Sequence, residues 1–515
     1  MKRIVNSLDK LSSGKRACAV LVLCATTAIA LPAQTFTTLH SFDGTDGQNP
    51  YSGLVQATNG DFYGTTQTGA DNCVPYGFAN GCGAVYRITP SGSLTPYSLD
   101  GADGAIAYAG LVQVTNGDLY GTVQLAGVNG GGTVFKMTLG GTLTALYSFP
   151  WSCAQSPCTA PDGALPYAGL VQATNGDLYG TTEYGSSRNC SPYGCGTVFK
   201  FTPSGTLTKL YSFCTQSGCP DGSLPQGGLV QASNGDFYGT TANGGVANAG
   251  TFGNGAGTVF KITPTGTLTT LYSFCTQSGC PDGAIPYAGL VQATNGDLYG
   301  TTQWGGTNSA GTVFKITPSG KLTTLYSFCS QSGCTDGYYP DVSLVQATDG
   351  NFYGTTEYGG SDNCDSAYGG CGTVFKITPG GTLTTLYSFC AQSGCTDGYT
   401  PSAVLFQATN GDLYGTTVYG GANDTCTTQL PPGCGTIFSL SVGLGPFVET
   451  QTTSGKVGAA VKILGSDLTG ATRVSFNGTA ATFTVVSRYL ITTTVPAGAT
   501  TGKSPGGNTQ PYAFE

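Results

Sequence analysis

Few side chains in this 515-residue sequence could do chemistry, and those that could are spaced by a long period. The single histidine, His40, stands where related phrases carry tyrosine, as in Thr385-Leu386-Tyr387-Ser388-Phe389. It reads as a core substitution, which leaves no Ser-His-Asp or Cys-His constellation. The most suggestive carboxylates are Glu183 and Glu357, each within Thr-Thr-Glu-Tyr-Gly. They fall in the third and sixth of seven repeats, which implies a separation of roughly 20 Å or more, against about 5 to 9.5 Å for carboxyl pairs that cleave glycosides. On this reading they do not cooperate, and no catalytic residue is assigned.

An Asp-Gly pair recurs at Asp46, Asp103, Asp162, Asp221, Asp282, Asp336 and Asp397. Its regularity points to a turn in which the carboxylate accepts local backbone amides. Oxygen-rich loops of this kind could hold Ca²⁺, but no spacing resembles a dense Asp-x-Asp-x-Asp loop, so no cofactor is assigned. Beyond residue 33, eighteen cysteines fall into close pairs. These are Cys73/Cys82, Cys153/Cys158, Cys190/Cys195, Cys214/Cys219, Cys275/Cys280, Cys329/Cys334, Cys364/Cys371, Cys390/Cys395 and Cys426/Cys434. An even count in an exported chain favours nine local disulfides, each stabilising by about 2 kcal/mol on the chain-entropy model. The rival, metal ligation, lacks both Cys-x-x-Cys spacing and histidine partners.

Aromatic residues recur at two further places. Tyr51, Tyr108, Tyr167 and Tyr287 precede one segment of the repeat, whereas Tyr184, Trp304, Tyr358 and Tyr419 follow the next. Such rings offer an apolar face with a polar handle and could stack on sugars or peptide side chains; packing between repeats is the structural alternative. Gln226, Asp341 and Ser402 occupy the first place in repeats four, six and seven, so an aromatic patch there would be lopsided. The basic residues Arg87, Lys136, Lys200, Lys261, Lys315 and Lys376 read as stems packed between repeats.

The elements that must position these groups follow from the repeat. Asn-Gly-Asp-Leu/Phe-Tyr-Gly starts at Asn59, Asn116, Asn175, Asn234, Asn295 and Asn410, with a variant at Asp349, at spacings of 57, 59, 59, 61, 54 and 61 residues. A complete unit contains four short segments, for example 289–293, 297–302, 311–317 and 322–328. Asn-Gly is a strong hairpin signal, and a two-residue turn there requires positive φ at both positions. Nearly continuous apolar runs suit strands covered on both faces. The seventh unit stops after its third segment, 435–440, while a lone fourth-type segment stands at 35–42. The predicted fold is therefore all-β: a seven-bladed β-propeller over 34–442, closed by an N-terminal complementing strand, with a β-solenoid as rival. Strand alternation places every long or cysteine-bearing loop on one face, where function should reside.

Residues 1–33 read as a signal peptide, with five basic residues, an apolar run 17–31 and small residues at Ala28, Ala30 and Ala33. Its removal takes five basic and one acidic side chain and leaves a net charge of about −12. That field disfavours nucleic acid. No other stretch approaches a membrane span, so an extracytoplasmic, monomeric chain without a transmembrane anchor is expected. The unit Gly-Leu-Val-Gln-Ala-Thr-Asn-Gly-Asp-Leu-Tyr-Gly-Thr-Thr, with its following Gly-Thr-Val-Phe-Lys-Ile-Thr-Pro-Ser-Gly and Leu-Thr-Thr-Leu-Tyr-Ser-Phe, resembles the GloVer tandem repeat of secreted bacterial proteins with varied C-terminal anchors. The resemblance implies export or surface display and carries no established reaction. Residues 443–515, with Gly458-Ala-Ala-Val-Lys-Ile-Leu-Gly and Leu468-Thr-Gly-Ala-Thr-Arg-Val-Ser-Phe-Asn-Gly, resemble an IPT/TIG immunoglobulin-like domain whose last strands are shortened. The implied function is non-catalytic binding of a polysaccharide or protein through the disulfide-pinned loop face. The alternatives are an extracellular carbohydrate-active hydrolase or lyase and a structural envelope protein.

Overall fold

A computed structural model of the chain describes residues 34–500, apart from 71–72, 74–79, 154–157, 187–188, 191, 247–254, 361–368, 424, 427–431 and 452–455. The signal-peptide reading of 1–33 and the shortened last strands at 503–515 lie outside the described residues. The described chain is all-β with three short 3₁₀ turns. Seven four-stranded antiparallel sheets occur between residues 35 and 441, each built from consecutive strands except the last. Unit 5 shows the pattern: Val291–Gln292, Leu298–Thr302, Thr312–Ile316 and Leu322–Ser327. In unit 7 the fourth strand is Thr35–Ser41, paired antiparallel to Thr436–Ser441 with Thr35 opposite Ser441.

The first strand of each unit is shorter than its apolar run predicts, only two paired residues. The cause is close approach between units. A methyl group placed on Gly289 would stand 2.7 Å from the Gly228 carbonyl oxygen, on Gly169 3.1 Å from that of Gly110, and on Gly53 2.8 Å from that of Val404. Glycine at these inner positions lets backbones touch where a side chain would hold them apart.

Hydrogen bonds then tie each unit to the next. The backbone N–H of Thr58 donates to Gln113 Oε1 (2.9 Å), Thr115 to Gln172 (3.2 Å), Thr174 to Gln231 (2.9 Å), Ser233 to Gln292 (2.8 Å), Thr294 to Gln346 (3.0 Å), and Thr348 to Gln407 (3.0 Å). Thr409 donates to Gln56 at 3.1 Å, which returns the series from the seventh unit to the first. Six of these glutamines also donate from Nε2 to a glycine carbonyl of their own turn, as Gln113 does to Gly117 at 2.8 Å. Each of these six side chains therefore fixes its own turn and its neighbour together.

The turns themselves differ from expectation. Only the glycine of Asn-Gly has positive φ, for instance +88° at Gly60. Gly60 N–H donates to Ala57 O and Ala57 N–H to Asp61 O, so the turn spans three residues and closes with a glycine bulge. Asn59 instead accepts the Asp61 amide through Oδ1. The basic residues of the third strands reach the aspartate of these turns, from 2.6 Å for Arg87–Asp61 to 3.8 Å for Lys136–Asp118. Their stems pack, but their heads have partners on the turn face.

A separate sheet of Glu449–Thr450, Ala460–Leu464, Leu490–Thr494 and Phe483–Ser487 follows, with a hairpin Val474–Phe476/Thr479–Ala481. Val461, Ile463, Val474, Phe476 and Ile491 form its core. It packs on the turn face: Thr409 and Ser466 hydroxyls lie 2.8 Å apart, Lys462 Nζ donates to Thr115 O at 3.2 Å, and the Tyr489 ring covers Gly60.

The inner contacts predict that Gly289→Val forces neighbouring backbones apart and costs about 1–3 kcal/mol, as overpacking does. Thermal unfolding checks this, and an unchanged midpoint would show that the inner strands have room to spare.

Candidate functional site

Because the C-terminal sheet covers turns of units 1, 2 and 7, the opposite face carries the remaining long loops. Eight of the expected cysteine pairs are bonded there: Cys73–Cys82, Cys153–Cys158, Cys190–Cys195, Cys214–Cys219, Cys275–Cys280, Cys329–Cys334, Cys390–Cys395 and Cys426–Cys434. Of the ninth expected pair, Cys364/Cys371, one member is described. Cys371 is buried and disulfide-bonded, next to the strand Thr373–Ile377, but Cys364 lies outside the described residues. Beside the disulfides the repeated Asp-Gly carboxylates accept backbone amides, as Asp221 does from Cys214 N–H at 3.0 Å. They also accept the hydroxyl of the fourth-strand tyrosine: Tyr211 to Asp221 and Tyr272 to Asp282 at 2.9 Å, Tyr387 to Asp397 at 2.7 Å. His40 makes the same bond to Asp46 at 2.6 Å, so it replaces tyrosine in function as well as in place.

Two residues before each inner contact position stand Tyr51, Tyr108, Tyr167, Gln226, Tyr287, Asp341 and Ser402. All seven are half-buried. Tyr51 and Tyr108 have ring centroids 5.2 Å apart, and Tyr108 stacks on Tyr167 at 4.7 Å. Gln67 donates to the Tyr108 hydroxyl. Burial and neighbouring anionic groups push the Tyr51 and Tyr167 phenols well above their ordinary range. The second aromatic set is less united. Tyr184, Trp304, Tyr358 and Tyr419 are held by single bridges to Ala164, Ala284, Tyr338 and Tyr399, and Trp304 packs on Tyr339 at 4.5 Å.

Three carboxyls stand close to these tyrosines. Glu183 is 7% exposed and accepts from Gln226 Nε2 at 2.8 Å and Gln124 Nε2 at 3.2 Å. Burial raises its pKa, with those amides and Tyr184 opposing the rise. Asp341 is held well above the usual carboxylate range by burial and by the charge of Glu357. Burial raises Glu357 too, against a hydrogen bond from Tyr358. Tyr167 and Tyr287 both feel Glu183 and Asp341, so the carboxyls of units 3 and 6 share neighbours. The expectation that Glu183 and Glu357 act in isolation therefore overlooked Asp341, which adjoins one and shares tyrosines with the other. Its signal was present: it interrupts the tyrosine series two residues before an inner contact.

Among the described residues, the group of metal-ligating type compact enough to meet one ion is Cys190, Cys195, Cys214 and Cys219, all within 4.8 Å of one another. Their sulfurs are committed to two disulfides. No helix among the described residues is long and apolar enough to cross a membrane.

The unfolded chain ionises Asp341 at an ordinary carboxyl pKa, whereas the fold holds the proton to higher pH. Stability is then greatest in acid and declines as pH rises between the two values. Asp341→Asn removes that cost. It should raise stability at pH 7 by about 1.4 kcal/mol per unit of upward shift and leave it unchanged at pH 3. Denaturant unfolding at both pH values checks this, and an equal gain at both would assign the effect to packing.

No curated protein is detectably similar to the chain. Solved structures are similar at low identity. A protein assigned as a gluconolactonase is 12% identical, covering 81% of this chain and 94% of its own, with a TM-score of 0.38. The extracellular domain of a hybrid two-component system from B. thetaiotaomicron is 10% identical, covering 84% and 46%, with a TM-score of 0.47. The PQQ-bound aldose sugar dehydrogenase of Streptomyces coelicolor is 11% identical, covering 79% and 98%, with a TM-score of 0.37. Residues 26–253, just under half of the chain, match the model of the Gloeobacter/Verrucomicrobia repeat, and the same phrase recurs beyond them to the seventh sheet.

Proposed function

We propose that the chain is an exported, seven-bladed β-propeller that binds a polysaccharide at the tyrosine-lined mouth of its loop face without chemical change. Residues 1–33 act as the signal peptide, 34–442 form the propeller, and 443–515 form an immunoglobulin-like spacer or adhesion module. The observation that carries this reading is the mouth itself: stacked tyrosines and polar groups together on the face opposite the C-terminal sheet. Tyrosine supplies flat contact area at low entropic cost and a hydroxyl for hydrogen bonding. Disulfides that stiffen the surrounding loops reduce the ordering cost of binding. The sole imidazole is tied to Asp46 in the outermost strand of its sheet, which favours binding over nucleophilic catalysis.

One observation favours a second reading, an extracellular hydrolase or lyase. Asp341 and Glu357 are neighbouring carboxyls with raised pKa, and such a pair can supply a general acid.

A polysaccharide-binding screen of the mature chain, with product analysis of each mixture, separates the two. Binding should weaken at least tenfold, about 1.4 kcal/mol, in a Tyr108→Ala/Tyr167→Ala variant, with the polymer recovered intact. Shortened or unsaturated products would overturn the non-catalytic reading.

A further inference from the structure

We propose that the mouth selects a ligand bearing a protonated amine, of the deacetylated amino-sugar type. This inference rests on the polysaccharide-binding reading above and adds the charge and hydrogen-bonding class of the ligand. Three independent features of the mouth converge on it.

The first is a set of unmet polar atoms. Gln226 Oε1, Asp341 Oδ1 and Ser402 Oγ are each buried and have no hydrogen-bond partner among the described residues. All three belong to the ring of seven residues that rims the mouth, and they are the members of that ring that are not tyrosine. The amide carbonyl oxygen can only accept, and the Asp341 oxygen does the same once the carboxyl is ionised. A group that satisfies them must donate, and such atoms are costly to leave buried and unpaired.

The second is charge without a counter-charge. Among the described residues, no lysine or arginine acts on Glu183, Asp341 or Glu357. The six third-strand basic residues are engaged on the turn face by Asp61, Asp118, Asp177, Asp236, Asp297 and Asp349. Lys209 is spent on Pro161 O and Ser186. Two adjoining half-buried carboxyls without a cation resist full ionisation, and an ammonium placed against them offsets that cost. Uronate and sulfated polymers would be repelled by the same field.

The third is the tyrosine stack. The run Tyr51, Tyr108 and Tyr167 spans units 1 to 3, and Tyr51 and Tyr167 also feel the unit 6 carboxyls Glu357 and Asp341, so a sugar resting on these rings keeps its amine within reach of the carboxyls. An ammonium close to such rings gains a cation–π contribution as well.

Isothermal titration of the mature chain with three probes tests this: a glucosamine tetramer, an N-acetylglucosamine tetramer and tetralysine. The glucosamine tetramer should bind at least tenfold tighter than its acetylated counterpart and than tetralysine. An Asp341→Asn/Glu357→Gln variant, with its fold checked by thermal unfolding, should lose that preference and retain whatever affinity the acetylated tetramer has. Equal binding of the two tetramers would overturn the amine and leave the sugar-binding reading standing. Tighter binding of tetralysine would overturn the sugar as the source of the amine. Failure of all three probes, with a neutral or acidic polysaccharide found instead in the wider screen, would overturn this inference alone; failure of every polysaccharide would overturn the binding reading with it.

Discussion

Seven side-chain amides set the spacing on which everything else in the repeat region depends. Each glutamine accepts a backbone N–H from the unit before it, and six of the seven also hold a carbonyl of their own turn. Glycine contacts beside them bring the innermost backbones together. A hydrogen bond of this kind is worth only about 1 kcal/mol net, but its geometry is demanding. Because every bond joins two different units, none can be optimised alone. The residue two places before each inner contact is thereby delivered to the same height on the same rim, which is why tyrosines from separate repeats can stack.

Charge is sorted between the two faces. On the turn side, aspartates and basic residues meet as ion pairs with partly exposed heads, each contributing little to stability. On the loop side, the repeated Asp-Gly carboxylates are absorbed by tyrosine hydroxyls and amides, and the mouth carboxyls are left without cations. The loops around them are drawn tight by short disulfides. A disulfide-bonded surround therefore encloses a small acidic centre.

Much of this was legible in the sequence, because repeat period, turn residues and apolar runs all act locally. Strand order, the pairing of most cysteines and the local role of the Asp-Gly carboxylates follow from spacing alone. What escaped were properties of the assembled ring. Gln113 and its equivalents look like ordinary polar residues in a strand, since their partners lie 52 to 59 residues away, and 353 away for Gln56. The first strands are shorter than their composition implies because neighbouring backbones crowd them. Asn59 adopts no left-handed conformation because a bulged turn needs only glycine there. Asp341 looked like a gap in an aromatic series, and only the placement of Glu357 and Tyr167 beside it shows that it belongs to a group.

The pairing of Thr35–Ser41 with Thr436–Ser441 has a consequence for how the molecule comes into being. A ribosome makes the first of these strands before any of the six sets of four consecutive strands and the second only after all six. For that whole interval the early segment has no partner, and its free edge is open to mispairing with whichever sheet edge appears first. The architecture thus stores its final step at its very beginning, and a chain broken off before residue 436 has every part of the ring except the means to shut it.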